Sequence, residues 1–373
     1  MRPLFSTGAI VLPLLLLAQQ AQQSQPAEQT HAPTIEEYEP KAMLVVKKTE
    51  VQRARFPFID IHTHAFNQSR DPNKFLPDMD KINMRIMVSS PVAGSFGERT
   101  KRSIDAMRAH PQSARFASMT NIDFSNLDDP GYSQRAAAQL EQDVKNGAVG
   151  LKVHKQLGFG LNDSKGQRIH VDDPRFDAVW AVCAKYKIPV LIHTADPKPL
   201  FDAMDKYNER WLELRLRPNR ARAERAGPSW DEVIQEQHNL FARNPKTTFI
   251  NAHMGWMAHD LGSLGALLDK LPNMQLEFAA ILGELGRQPR AAKKFFTKYQ
   301  DRILFGKDTY NVSEYPFYFR MLESDDEWID NIRKYHGLWK LYALDLPDEV
   351  LKKVYYKNAL RIFSTLDKQG FPN

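Results

Sequence analysis

The stretch Phe56-Pro-Phe-Ile-Asp-Ile-His-Thr-His64 carries two histidines, one residue apart, at the end of an apolar run. A strand alternates its side chains with a period of two, so His62 and His64 point to one face. Two imidazoles on one face of a strand end can grip one divalent metal. A lone pair of this kind is equally an ordinary pair of strand-end histidines, so the weight falls on what later runs supply. Lys152 and His154 close Gly150-Leu-Lys-Val-His154, and His193 closes Val190-Leu-Ile-His193. His253 closes Phe249-Ile-Asn-Ala-His253, and Asp308 closes Ile303-Leu-Phe-Gly-Lys-Asp308. Two or three neutral imidazoles and one carboxylate suit zinc, or another borderline divalent ion, with a position open for water. Such an ion lowers the pKa of its water towards about 7. A neighbouring His or Asp can then take a proton and return it to the leaving group. Each residue alone has a blander reading: a lone His after Val-Leu-Ile is a strand-end core histidine, and Lys152 a salt-bridging lysine. Ligand-type residues at so many run ends together are hard to obtain that way.

These residues need elements that bring them together. Apolar β-type runs cover Phe58–His62, Ile82–Val88, Arg115–Ile122, Val149–His154, Pro189–His193, Thr248–His253, Met274–Phe278 and Ile303–Gly306. Helical patterns separate them near Thr100–Ala109, Ser133–Lys145, Arg175–Tyr186, Trp230–Ala242, Leu261–Leu271 and Pro289–Tyr299, and a last one runs Pro347–Phe363. Asn146-Gly147 is a helix stop and Asp173-Pro174 a helix start. Eight strands alternating with helices predict an α/β fold, a (β/α)8 barrel rather than a doubly wound sheet. In a closed barrel the strand ends converge on one mouth. Two connections exceed what a barrel needs, Thr194 to Asn244 after strand five and Thr309 to Leu346 after strand eight. Both leave the face where barrel active sites are built and read as lids or substrate walls.

With Asp60-Ile-His-Thr-His64, Gly150-Leu-Lys-Val-His154, Leu191-Ile-His-Thr194, Asn251-Ala-His-Met-Gly255, Leu304-Phe-Gly-Lys-Asp308 and the closing Tyr355–Phe363, the chain resembles the amidohydrolase superfamily, and within it the amidohydrolase 2 (amidohydrolase-related) family. The resemblance covers roughly residues 55–365. It implies a distorted TIM barrel with a metal at its mouth. It implies His62, His64, His193 and Asp308 as metal ligands, His253 as the residue that orients or deprotonates water or polarises substrate, and Asp308 as proton shuttle besides ligand. Lys152 would meet a substrate carboxylate beside one zinc or manganese ion, or, if carboxylated, bridge two ions. Lys307 stands where relatives often have a small hydroxyl residue, which puts the surroundings of Asp308 in question. Sister nucleases resemble a pattern with a glutamate at the Lys152 position, and the further His and Glu ligands of PHP-type phosphoesterases are not found.

The function that follows is a metal-dependent hydrolase using activated water on a C–N or C–O bond of a small acidic molecule. Its alternative is a metal-dependent decarboxylase of an unsaturated or aromatic acid, and a third reading is a non-catalytic periplasmic binding protein. The 373 residues are 42% hydrophobic and 26% charged, with net charge +6, a globular composition. Lys and Arg are spread among 45 acids with no nucleic-acid motif, so nucleic acid is not an expected partner. The most basic run, Arg210 to Arg225, reads as a solvated helical face, or second as an entrance for anions. Arg2 followed by apolar Leu4–Ala18 reads as an export signal over residues 1–21, with a linker over 22–50 and the barrel domain over 51–373. Pro3 and Pro13 interrupt that run, so no stable membrane span is expected after its removal. The single cysteine, Cys183, excludes an intrachain disulfide and reads as a buried small hydrophobe. Export without disulfides fits a bacterial periplasmic or secreted protein. Such barrels also pair into homodimers through outer helices, although no residue of the sequence demonstrates it.

Overall fold

A computed structural model describes residues 31–223 and 225–372. The proposed export signal and the first part of the linker lie outside the described residues. Residues 31–43 are exposed and contain one turn, in which the Thr34 carbonyl accepts from Tyr38 N at 3.0 Å. From Leu44 onwards the chain is one compact unit. Its packing starts early: Thr49 donates through both N and Oγ1 to Asp326 at 2.6 Å. Among the described residues no helix is long and apolar enough to cross a membrane.

The strands are β1 (Phe58–Thr63), β2 (Met84–Ser89), β3 (Phe116–Ser118), β4 (Leu151–Val153), β5 (Val190–Ile192), β6 (Phe249–Asn251), β7 (Met274–Glu277) and β8 (Ile303–Leu304). They pair in chain order, all parallel, as a run of three and a run of five. Parallel bridges close both gaps, Thr120 to Leu151 between β3 and β4, and Thr63 to Asp308 between the first and last strands. The apolar runs sit where a parallel barrel needs them, because helices cover one face and packed side chains fill the other. Every residue of β1, β5 and β6 is buried.

The helices follow from local chemistry. Tyr132–Asn146 buries Tyr132, Ala136, Leu140 and Asp143, one face at helical spacing, and ends at Gly147, whose φ of 111° suits glycine. Trp230–Arg243 begins with Ser229, whose hydroxyl accepts from Glu232 N at 3.1 Å, a cap typically worth ~1 kcal/mol. Its Phe241 stacks on Phe249 of β6 with ring centroids 4.6 Å apart. Most elements end within a few residues of the sequence expectation. Ile82 does not start β2. It ends a helix, Leu76–Ile82, that the pattern hides, and Asn83 at φ 69° then turns the chain into the strand. The closing helix carries a π-type turn, Lys353–Lys357, between Asp348–Lys352 and Asn358–Ile362. Cys183 is free and buried, and burial pushes its thiol pKa up.

The two long connections are built as walls. The one after β8 holds the helix Tyr315–Glu323 and an antiparallel bridge from Ile329 to Leu341. It meets the one after β5, where Arg217 lies over the Tyr335 ring at 4.4 Å. The basic run in the β5 connection is only in part a solvated helical face. Its α-helix is Trp211–Leu216, followed by a 3-10 turn over Pro218–Arg220. Arg210 is buried between Glu213, at 2.9 Å, and Glu284, while Arg220 pairs with Glu213 and Arg222 with Asp196 at 2.6 Å. Arg210, Arg220 and Arg222 are spent inside the wall, while Arg215, Arg217 and Arg225 stay exposed.

Candidate active site

The strand ends do converge. His62, on fully buried β1, donates Nδ1–H to Glu277 Oε2 at 2.7 Å, and its Nε2 accepts from Lys152 Nζ at 2.9 Å. His64, one residue beyond β1, donates Nδ1–H to the Ser90 carbonyl and turns Nε2 to Asp308 Oδ1 at 2.8 Å. His62 Nε2 lies 3.7 Å from the same oxygen. Donors that each sit about 2.1 Å from one ion are at most about 4.2 Å apart, so both separations fit a shared divalent ion. Both histidines spend Nδ1–H on an outer partner, which leaves the Nε2 lone pair facing inward. Burial first, and then the Lys152 charge, hold His62 well below its ordinary pKa, so the ring is neutral, the form a metal ligand needs. Burial acts to raise the Asp308 pKa. The neighbouring His64, His62 and His253 rings outweigh it and hold the carboxyl well below its usual range.

Asp308 owes its place to the barrel seam. Its N–H donates to the His62 carbonyl at 2.5 Å, and its carbonyl accepts from His64 N at 3.0 Å. Its φ is 73°, unusual for a residue with a side chain and the kind of outlier found at functional sites. A second group of outliers follows β6, where His253, Met254, Gly255 and Trp256 have φ of 56°, 51°, 61° and 57°. Gly255 is required there, since a Cβ would collide with the Asn251 amide. This turn sends His253 inward. Its Nδ1 donates to the Ala279 carbonyl at 2.8 Å, and its Nε2 is buried with no partner in the protein. The ring lies 5.1 Å from that of His62 and 4.5 Å from that of His193, and stacks on Trp256. Burial pushes its pKa down to about 4, so at neutral pH Nε2 is a proton acceptor.

His193 is placed differently. Its ring sits beside those of His154, at 5.5 Å, and His253, and its Nε2 donates to the Ala195 carbonyl at 2.9 Å. That leaves Nδ1 as its lone pair. The donor atoms of His62, His64 and Asp308 fall within 4.8 Å of one another; His193 is not in that group, although it borders it through His253. Burial lowers the Lys152 pKa, with Asp308 and Glu277 partly restoring it. Lys152 and His154 line a pocket walled by Phe96, Ile122 and Phe124. Lys307 is buried, donates to Glu314 and to the Thr309 carbonyl at 2.6 Å, and lines a second pocket with Asp308.

Sequence reasoning missed Glu277. It ends β7, is fully buried, and holds His62 Nδ1 together with the N–H groups of Ala279 and His253. A Cβ on Gly306 would come within 2.6 Å of its carboxylate, so glycine there makes its room. Its signal was available: a carboxylate closing the apolar run Met274-Gln-Leu-Glu277, as ligand-type residues close the other runs. Asp60 went without a role as well. It accepts from His62 N at 2.9 Å and from Tyr315 OH at 2.7 Å, tying the β8 wall to β1, and burial pushes its carboxyl up to about 7.

The family model described as Amidohydrolase matches residues 59–365. No curated protein matches the sequence. Among solved structures, the chain is similar to an uncharacterized TIM-barrel protein from Bordetella bronchiseptica, at 15% identity and TM-score 0.52, covering 82% of this chain and 98% of that one. That likeness is one of fold. It is also similar to a 2,6-dihydroxybenzoate decarboxylase from Rhizobium, with 16% identity, TM-score 0.48 and coverage of 85% and 99%. A third is 4-oxalomesaconate hydratase from Rhodopseudomonas palustris, with 14% identity, TM-score 0.46 and coverage of 82% and 95%.

Proposed function

The chain belongs to the amidohydrolase family, and from that premise we propose that it is a metal-dependent hydrolase acting on a C–N or C–O bond of a small acidic molecule. The observation that carries this reading is the buried, unpartnered Nε2 of His253 beside the inward-facing donors of His62, His64 and Asp308. A buried acceptor without a partner costs about 1–3 kcal/mol, a cost retained here where a water or substrate group can use it. His62 Nε2, His64 Nε2 and the Asp308 carboxylate would hold one divalent ion, zinc or else manganese; His193 Nδ1, outside that group, would have to move inward to join them. When bound, such an ion lowers the pKa of water and polarises a substrate carbonyl.

The remaining work falls to the chain. His253, neutral at pH 7, accepts a hydrogen bond or proton at Nε2. Asp308 is ionised and takes the proton onward to the leaving group. Glu277 fixes the His62 tautomer through Nδ1. Lys152 here occupies the His62 Nε2 lone pair that an ion would take, so in the loaded enzyme it offers its donors to a substrate oxygen in the pocket it lines.

The test is a panel of amides, lactones and esters of small carboxylic acids, turned over by the zinc- or manganese-loaded protein in ¹⁸O-water. One ¹⁸O entering the product acid supports hydrolysis. CO₂ released from an acid without ¹⁸O entering the organic product would overturn it in favour of a carboxy-lyase. His253→Asn should lower kcat by about 10²–10⁴-fold with metal content unchanged.

A further inference from the structure

The wall after β8 brings two residues to the Asp308 side of the site that nothing above uses. Asn331 and Arg333 line the pocket that also contains Lys307, Asp308 and Tyr318. Asn331 is 8% exposed. Its Oδ1 accepts from Arg333 N at 2.9 Å, which orients the amide, and its Nδ2 is buried with no acceptor in the protein. Beside that donor stands Gly283, where a Cβ would approach Nδ2 to 3.3 Å. Arg333 grips Glu314 with two parallel hydrogen bonds, at 2.7 and 2.9 Å. That pairing uses two of the five guanidinium N–H donors and holds the fork in one plane.

We propose that Asn331 and Arg333 form a subsite for a substrate carboxylate, holding the scissile bond beside Asp308. An amide N–H₂ without an acceptor, next to a guanidinium held by a neighbouring carboxylate, is complementary to a planar anionic acceptor. The charges around the pocket balance: Lys307 and Arg333 against Asp308 and Glu314. His336, also on its wall, is kept neutral by burial and the nearby arginines. Directed donors therefore select the ligand, and an ion held by His62, His64 and Asp308 would offset the Asp308 charge that repels it, while Glu314 is already paired with Lys307 and Arg333. The pocket replaces the Arg210–Arg225 run as the anion-recognising surface, because Arg210, Arg220 and Arg222 of that run are already paired within the β5 wall. The assignment rests on the small-acid reading above.

The probe is succinate, titrated calorimetrically into metal-loaded protein and into the metal-free His62→Ala/His64→Ala protein. Asn331→Asp is the main variant, because Oδ1 still accepts from Arg333 N while the donor becomes a repelling oxygen; Arg333→Met is the second. Both should weaken succinate binding by about tenfold or more, in the metal-free protein as well, with the melting temperature of Asn331→Asp unchanged. The proposal is overturned if wild type fails to bind succinate at millimolar concentration. It is overturned if Asn331→Asp binds succinate as wild type does, or if binding is lost only with His62 and His64. Inorganic phosphate binding more tightly than succinate at the same residues would overturn the carboxylate assignment. Failure of the hydrolase reading looks different: no ¹⁸O enters any product while succinate binding still depends on Asn331.

Discussion

At the residue scale the site is a set of oriented lone pairs. His62, His64 and His253 each send Nδ1–H outward, to Glu277, Ser90 and Ala279, and so each presents Nε2 inward. Glu277 is the partner whose charge matters most, being buried against His62. Glu277→Gln can donate to His62 Nδ1 and force the proton onto Nε2, so metal affinity should fall about 10–100-fold, measured by competition with a chelating dye. Unchanged affinity would remove Glu277 from the orienting role. A second residue bears on stability away from the site. His238 is pushed down to about 4 by burial, with Lys270 adding to it, against about 6.5 when unfolded. Between those values the unfolded chain holds a proton that the folded chain does not. Stability is therefore full above pH 6.5 and falls as pH drops towards 4. His238→Leu should flatten part of that slope in urea unfolding at pH 5 and pH 7.5; an unaltered slope would assign it to other groups.

At the element scale the strands carry the candidate ligands and the long connections wall the site. The β5 connection is held by a buried charge cluster, Arg210 between Glu213 and Glu284. Removing one member of a buried pair leaves an uncompensated charge, which costs about 3–5 kcal/mol. Arg220 still serves Glu213, so Arg210→Met should sit near the low end of that range in chemical denaturation. Arg225, exposed on the same run, should change by less than about 0.5 kcal/mol as Arg225→Met. Equal effects from the two would return the run to an ordinary solvated face.

At the scale of the whole molecule, the candidate ligands straddle the seam where the barrel closes. His62 and His64 come from β1 and Asp308 from just beyond β8, and the bridge from Thr63 to Asp308 joins them. An ion held there would bind the folded chain and not the unfolded one. At a hundred times its Kd it should add about 2.7 kcal/mol of stability. Mass spectrometry should find one zinc or manganese per chain, lost in His62→Ala/His64→Ala. The melting temperature should rise on metal loading in wild type and stay flat in that variant. Two ions per chain would make Lys152 a carboxylated bridge and not a substrate contact.

The order of strands and helices, and the ligand types His62, His64, Lys152, His193, His253 and Asp308, were legible because they depend on local rules. Buried parallel strands must read as apolar runs, and a polar residue closing such a run stands out against it. Glu277 obeyed the same rule and was passed over inside a run taken as core, and Leu76–Ile82 was lost where helix and strand abut without a polar break. What the tertiary structure alone decided are the relations between distant residues. Asp308 faces His62 and His64 because the barrel closes between β1 and β8. Arg210 is part of the wall and not of a basic face because Glu284, far along the chain, comes to meet it. Asn331 lacks an acceptor because of how the β8 wall folds over Gly283. Such contacts join residues tens to hundreds of positions apart, and no local periodicity records them, since only packing sets which side chains share a space.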